Sequence, residues 1–506
     1  MILRLDRDSL GAAAAPGWEK RVARDGDAVV VRGDDTGEVV LFLHSGGRTV
    51  TVSDDAGELL SAMGAAGATA EIDAGAGLSH FLHDGLVPVP RTLFRDVFVL
   101  SIGDRATVRR EGERLRVDFS VEFPYYTRLS REDQAPDHGR FLALLADSLE
   151  RRLASYRSGV LFLSAGKDSV ALALALAERG RKDVPCVTYA LPGSTEGEYA
   201  KGFCRKLGLS HTVVTLESRA AAVRDALTRF FTESPLPSGD LAQIPSVLLT
   251  EATAAPGGAV VVGSGNDTFF GALPYPKDRR IVPFCLGRTA LVDPLKPLLP
   301  PASVWNYLLR DPVEILWPGL LVRHADTRKF LAGSVNTSPA WRRVRAAHRG
   351  MDIIDFRALY RGRNFEVCTE KRKIQLAARA FGVGAVFPYV DERVIDFYFN
   401  LPREQRYDPA TWTTKRLMRD LLRERLQYDD AAIGKWGFPF DGAAFVRTMR
   451  DTVLGEITAC GLFDRKGLGF LERSVARVDA HRYAWHHVVA LFQFAGWYNH
   501  SRYLRS

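Results

Sequence analysis

A chain of 506 residues is too long for one ordinary core, so two or three domains are expected. Its 46% apolar and 25% charged residues are those of a soluble globular protein, and no apolar run reaches the length of a membrane span. The net charge of +8 invites a nucleic-acid partner, yet the basic density falls late, in "WRRVRAAHRG" and "TEKRKIQ", where Arg342, Arg343, Arg345 and Arg349 wind around a helix without interleaved aromatics; a solvated helix face is the plainer reading.

The start, MILRLDRDSL, lacks the apolar core of a signal peptide. Five cysteines (Cys186, Cys204, Cys285, Cys368, Cys460) form no CxxC pair, which favours a reducing cytoplasm over a disulfide framework or a structural zinc. Eleven histidines show no ligand spacing, so any metal should be a hard ion on carboxylates and phosphates. Up to about residue 128 the chain reads as short strands. In "AVVVRGDDTGEVVLFLHSGGRTVTV" three apolar or alternating runs are divided by Asp-Asp-x-Gly and Ser-Gly-Gly turns. The polar, proline-containing stretch Arg128 to Arg140 marks a boundary between a domain at 1–130 and one at 140–506. A helix from about Arg140 to Tyr156 follows, with Phe141, Leu145, Leu149 and Leu153 at helical spacing.

Strand-like runs at Val160–Leu163, Val184–Tyr189, Thr212–Thr215 and Ala259–Val262 then alternate with helices. Apolar strands separated in this way indicate an α/β fold with a parallel sheet covered on both faces. From about Pro300 onward the pattern is mostly helical. The informative turn is Ser164-Ala165-Gly166-Lys167-Asp168-Ser169, between the first of these strands and an Ala/Leu-rich helix. It is not G-x-x-x-x-G-K-[ST]. Small residues at Ala165 and Gly166 let the backbone approach an anion, and the helix N-terminus favours one. The hydroxyls of Ser164 and Ser169 add donors, and Asp168 can hold Mg2+ against phosphate oxygens.

Ser-x-Gly-x-Asp-Ser resembles the pyrophosphate loop of the ATP pyrophosphatases, which cleave ATP to AMP and pyrophosphate. Further segments, in order, resemble the asparagine synthetase family: "ESPLPSGDLAQIPSVLL" (Glu233 to Leu249), "AVVVGSGNDTFFG" (Ala259 to Gly271), "FPYVDERVIDFYFNLP" (Phe387 to Pro402), "TTKRLMRDLL" (Thr413 to Leu422) and "AIGKWGFPFD" (Ala432 to Asp441). The resemblance implies that Asp168 and Asp267 carry Mg2+ and that residues 164–169 bind the phosphates of ATP. It also implies that Tyr189, Ala190 and the residues to Pro192 hold adenine through their backbone, with Gly263 lining the same site. Asp240 falls in a segment that lacks the family's serine. Lys435 matches a lysine that reaches the reacting centre, where a cation stabilises developing negative charge.

Asparagine synthetases expose a cysteine at position 2 as a glutaminase nucleophile. Here Ile2 follows Met1, and the first thiol is Cys186. Ser79 to Asp104 still resembles the end of that glutaminase, so the N-terminal β-rich domain is expected to be a degenerate, glutaminase-like scaffold. The pattern resembles β-lactam synthetases, carbapenam synthetases and lasso-peptide cyclases; the Tyr–Glu dyad of the β-lactam and carbapenam enzymes is replaced at the matching positions by Ser264 and Gly384. The resemblance therefore implies an ATP- and Mg2+-dependent, AMP-forming ligase that joins a small-molecule or peptide carboxylate to an amine, within one molecule or between two. The expected setting is cytoplasmic specialised-metabolite or modified-peptide biosynthesis. A carrier or leader-peptide-binding protein and a second copy of the chain are candidate partners; a membrane is not, and nucleic acid is disfavoured. The alternative is an RNA-binding or tRNA-modifying ATP pyrophosphatase, which Lys167 in Ser-x-Gly-Lys-Asp-Ser would suit. Such enzymes often use paired cysteines, and this chain has none.

Overall fold

The structure, a computed structural model, describes residues 1–6, 17–127, 129–191, 194–215, 220–271, 322, 324–351, 353–408, 410–411, 413–433, 440–479 and 484–504. It begins with eight strands: β1 (Ile2–Asp6), β2 (Val22–Asp25), β3 (Ala28–Arg32), β4 (Leu41–Ser45), β5 (Thr49–Ser53), β6 (Val97–Leu100), β7 (Asp104–Glu111) and β8 (Arg114–Val121). They form two antiparallel sheets, ordered β1-β5-β4-β6 and β2-β3-β7-β8. Alternation explains the packing. Leu3, Val29, Val31, Leu43, Val50, Val52 and Val108 form one apolar cluster fed by both sheets, while their neighbours along β1 face water. The three strands expected between Ala28 and Val52 are β3, β4 and β5.

Helices Ala56–Ala65 and Ala76–Asp84 supply Leu59, Leu78 and Phe81 to a second, larger core. That core runs without a break into Phe141, Leu145 and Trp497 of the later chain. The N-terminal part is therefore joined to the later chain by packed apolar surface as well as by the backbone.

Five further strands make the sheet that matters for function: β9 (Ser158–Phe162), β10 (Cys186–Tyr189), β11 (His211–Val214), β12 (Gly258–Val261) and β13 (Gly384–Val386). All pair in parallel, in the order β11-β10-β9-β12-β13. The four strands expected from sequence are present within one or two residues. The described late chain is mostly helical, as expected, and it adds a fifth strand, β13, that the sequence did not reveal: "GAV" is three residues long, too short to show a period. From β9 the chain steps outward through β10 to β11, then returns to place β12 on the other side of β9. The order reverses between β9 and β12, and an open α/β sheet binds ligands at the carboxyl ends of the strands at such a switch point.

Helix Lys167–Glu178 follows β9 and is buried almost all round, which its Ala/Leu composition requires. Beyond helix Ile353–Tyr360 lies an eleven-residue π-helical run, Arg361–Lys371, which leads into helix Arg372–Phe381. Runs of this kind are rare and concentrate at functional sites. Among the described residues no helix is long and apolar enough to cross a membrane.

Candidate active site

The loop after β9 is shaped by its own side chains. The Ser164 hydroxyl accepts the Gly166 N–H at 3.1 Å, and the Ser169 hydroxyl accepts the Ser164 N–H at 3.0 Å. Ser169 is buried and lies within 3.0 and 3.1 Å of the Ser164 and Gly166 carbonyls, so it braces the turn from inside. Outside supports complete it. Tyr428 donates to the Ala165 carbonyl at 2.9 Å, and Tyr389 donates to the Asp168 carbonyl at 2.7 Å. These ties hold the amides at the start of helix Lys167–Glu178 in the geometry an anion needs. Burial lowers the pKa of the Lys167 ammonium, Asp168 opposes that shift, and Lys415 and Arg419 add to it.

Asp168 and Asp267 meet across the switch point. The Lys415 ammonium lies 2.8 Å from Asp168 Oδ1 and 2.7 Å from Asp267 Oδ1. Asn266 donates to Asp168 Oδ1 at 2.8 Å, and its own carbonyl accepts from Lys415 at 2.9 Å. The lysine side chain is 3% exposed, while the two aspartates are 30% and 33% exposed and so open to a ligand. Burial works against the Lys415 charge, but Asp168 and Asp267 outweigh it and raise its pKa. Burial likewise raises Asp267, yet Lys415 and Arg361 overcome it and hold that carboxyl well below the ordinary range. Lys415 reaches this place from a left-handed backbone, φ 57 and ψ 46, just before helix Arg416–Leu426. A conformation of that kind costs a non-glycine residue roughly 1–3 kcal/mol and is kept where surroundings over-determine it.

Two carboxylates converging on one cation, with solvent access, suit Mg2+, which takes oxygen ligands and fills its remaining positions from phosphate and water. Among the described residues no three His, Cys, Asp or Glu side chains gather around one point, so protein donors alone would not enclose such an ion.

The other expected residues divide. Gly263 lies in the turn after β12, and a Cβ there would stand 3.2 Å from the Ser169 nitrogen and 3.3 Å from the Asp168 Cβ, so glycine lets the two loops touch. Tyr189 ends β10 and Ala190 follows it, both buried. The Ala190 N–H is already given to the Val214 carbonyl at 3.2 Å, so Ala190 can offer a base only its carbonyl. Asp240 pairs with Lys373 at 2.7 Å, both 12% exposed, which makes it part of an internal ion pair. Gly384 requires a correction. It pairs with Ala259 at the amino end of β12 and β13, away from the ligand edge, and the Tyr156 ring fills the space beside it. Ser264 and position 384 are therefore not brought together, and the Gly384 position is not where a base would stand. Lys435 and Pro192 lie outside the described residues.

Sequence reasoning assigned no role to Lys415, although the segment Thr413 to Leu422 that contains it carries part of the family resemblance. It also missed Glu196 and Glu366. Glu196 opens helix Glu196–Leu207, is 1% exposed, and approaches the Ala165 N–H at 3.4 Å; burial pushes its carboxyl up to about 7 against the pull of that N–H. Glu366, in the π-helical run, accepts the Gly265 N–H at 2.9 Å. Burial, with Glu370 and Asp267 nearby, raises its pKa well above that of an ordinary carboxyl. From the same run Arg361 lies 3.6 Å from Asp267 and 2.8 Å from Glu370.

A phosphate-type loop after the first strand and an Asn-Asp turn after the fourth thus meet at one switch point. The family model described as asparagine synthase matches residues 140–499 of this chain. The chain belongs to the asparagine synthase family. No curated protein matches it. Members of the asparagine synthase family use ATP, and membership makes this chain an ATP-dependent amide-bond-forming synthetase in general terms.

Proposed function

We propose that this synthetase adenylates a substrate carboxylate and transfers the acyl group to an amine without hydrolysing glutamine. A carboxylate oxygen attacks the α-phosphorus of ATP and pyrophosphate leaves. The amine nitrogen then attacks the acyl carbon, AMP leaves with the former carboxylate oxygen, and the amine gives up its proton. The observation that carries this reading is the convergence of Asp168 and Asp267 on one ammonium beside the Ser164–Ser169 turn.

In this reading the turn's amides and the start of helix Lys167–Glu178 bind the phosphate oxygens, and Lys167 and Lys415 balance their charge. Asp168 and Asp267 would hold Mg2+, which when bound supplies charge neutralisation of the phosphates. Lys435 stabilises the tetrahedral centre of the second step. An amine that enters unprotonated needs no general base from the protein. The missing thiol before Cys186 argues against glutamine as nitrogen source, and the four described cysteines, all free and buried, suit a reducing cytoplasm. We assign the reaction to specialised-metabolite or modified-peptide biosynthesis, ring closure within one molecule included.

The test is a screen of carboxylates for substrate-dependent AMP release, with and without added amines, on the parent protein and on Asp168→Asn, Asp267→Asn and Lys435→Met. A carboxylate that elicits AMP and pyrophosphate should yield an amide only with the parent lysine. Either aspartate variant should lose AMP release by at least a hundredfold. Release of ADP in place of AMP, or of glutamate from glutamine, would sink this reading.

A further inference from the structure

The π-helical run Arg361–Lys371 touches the ATP site on one side and the N-terminal sheets on the other. Toward the site, Glu366 holds the Gly265 N–H and Arg361 approaches Asp267. Toward the sheets there are four ties. Arg363 pairs with Asp104, both about 5% exposed or less. Ser101 donates to the Arg363 carbonyl at 2.8 Å, and Asn364 accepts the Val89 N–H at 2.9 Å. The buried Lys371 ammonium donates to the Gly37 carbonyl. Gly37 itself has φ +73, and a Cβ there would stand 2.7 Å from Val367 Cγ2, so no side chain fits between the β3–β4 connection and the run.

Wide π turns pack less well than α turns, and eleven residues of them need outside support. The support is polar and expensive. A fully buried Asp–Arg pair is weak as a source of stability, because desolvation offsets most of its attraction, and pairs of this kind are best explained by what they hold in register. Here the register is that of Arg361 and Glu366 against the Gly263–Asp267 turn. Within this turn Gly265, at φ +100, leaves no slack, since a Cβ there would meet Val390 Cγ2 at 2.3 Å.

We propose that the N-terminal sheets serve the ATP site through this run, with Asp104 as a positioning residue for Asp267 acting by way of Arg363. The proposal rests on the reading of Asp168 and Asp267 as the MgATP site. It gives the β-rich N-terminal part a function that needs no nucleophile: it fixes the turn that presents Asp267, from a strand end 163 positions earlier in the chain.

The experiment is calorimetric binding of MgATP to the full chain. Asp104→Asn should weaken binding about tenfold or more while near-UV circular dichroism stays that of the parent. Asp55→Asn removes another tie between the N-terminal part and the later chain, to Arg379, which lies beyond the run. It should leave MgATP affinity within twofold. In an Arg361→Gln, Glu366→Gln background, Asp104→Asn should add less than twofold; a full tenfold again would mean that Asp104 acts by general destabilisation, and the proposal fails. Asp267→Asn separates the two claims. If it leaves MgATP binding unchanged, the site reading is wrong; if it abolishes binding while a folded Asp104→Asn binds like the parent, only this inference is wrong. Should Asp104→Asn not fold, Ser101→Ala decides: affinity at least threefold weaker supports the proposal, and an unchanged affinity overturns it.

Discussion

Lys415→Met takes the ammonium from between Asp168 and Asp267 while keeping most of the side chain's bulk. The two acceptor oxygens lie 2.8 and 2.7 Å from the same nitrogen. Left alone at roughly 5 Å from each other, two carboxylates repel by roughly 3 kcal/mol at an effective dielectric near 20. Their 30% and 33% exposure admits screening water, which places the loss at the low end of the range for stripping one partner from a buried pair, about 3–5 kcal/mol. The sign with pH follows from Asp267. Lys415 and Arg361 hold its carboxyl below the ordinary range despite burial. Such a group adds stability that is present above the unfolded value, about 3.9 for aspartate, and is lost as pH falls through the folded one. Parent and variant should therefore differ most at neutral pH and converge in strong acid. Magnesium gives a second readout, because in the parent it must share the carboxylates with a seated ammonium. At a hundred times its Kd a ligand adds about 2.7 kcal/mol, enough to return most of the loss. Urea unfolding followed by tryptophan fluorescence, in EDTA and in excess Mg2+, measures both effects. Equal midpoints for parent and variant in EDTA at pH 7 would refute the reasoning.

Glu196→Gln tests the buried carboxyl at the loop. Burial pushes Glu196 up to about 7 from 4.5, so the folded protein keeps this proton over that window while the unfolded chain loses it. Stability should fall as pH rises from 4.5 to about 7 and then level; Gln keeps an acceptor for the Ala165 N–H and should flatten the slope, and an unchanged slope would acquit Glu196. Gly265→Ala forces a Cβ onto a φ +100 backbone within 2.3 Å of Val390. Strain and overpacking together should cost about 2–4 kcal/mol and weaken MgATP binding; a loss below about 1 kcal/mol in urea unfolding would show that the turn can shift.

How much of the site is legible in the sequence depends on the range of each signal. The pyrophosphate loop is local: strand, small residues, hydroxyls and helix occupy one stretch, so Ser164 to Ser169 could be named without a structure. Asp267 was named only through the family resemblance of its segment, because an aspartate after a Gly-Ser-Gly-Asn turn is by itself an ordinary turn residue. Lys415 has no such pattern, because its role comes from a left-handed backbone and from partners 247 and 148 residues away. The π-helical run was equally hidden, since no local pattern marks it and its contacts to Asp104, Ser101 and Gly37 come from far along the chain. Gly384 failed for a different reason. Matching by position in a motif carried no information about which end of β13 it would occupy, and the register with Ala259 decides that.

These distances in sequence bear on how the site is assembled. The strand order brings the β9 and β12 tips together, but it leaves two carboxylates facing each other in a partly buried space, an arrangement that repels unless a cation sits between them. Lys415 supplies that cation before any ligand arrives, so the folded protein tolerates the pair without a metal. The arrangement also fixes what binding must do. In the proposed reading MgATP would bring phosphate oxygens toward Lys167 and Lys415 and a divalent ion toward Asp168 and Asp267, so that each charge would gain a partner of opposite sign. Anionic phosphate alone would find the two carboxylates nearby, and Mg2+ alone would find the ammonium. Under the proposed reading of the site, phosphate and metal therefore bind more favourably together than apart, a coupling set by Lys415 and transmitted to the turn that Arg361 and Glu366 hold.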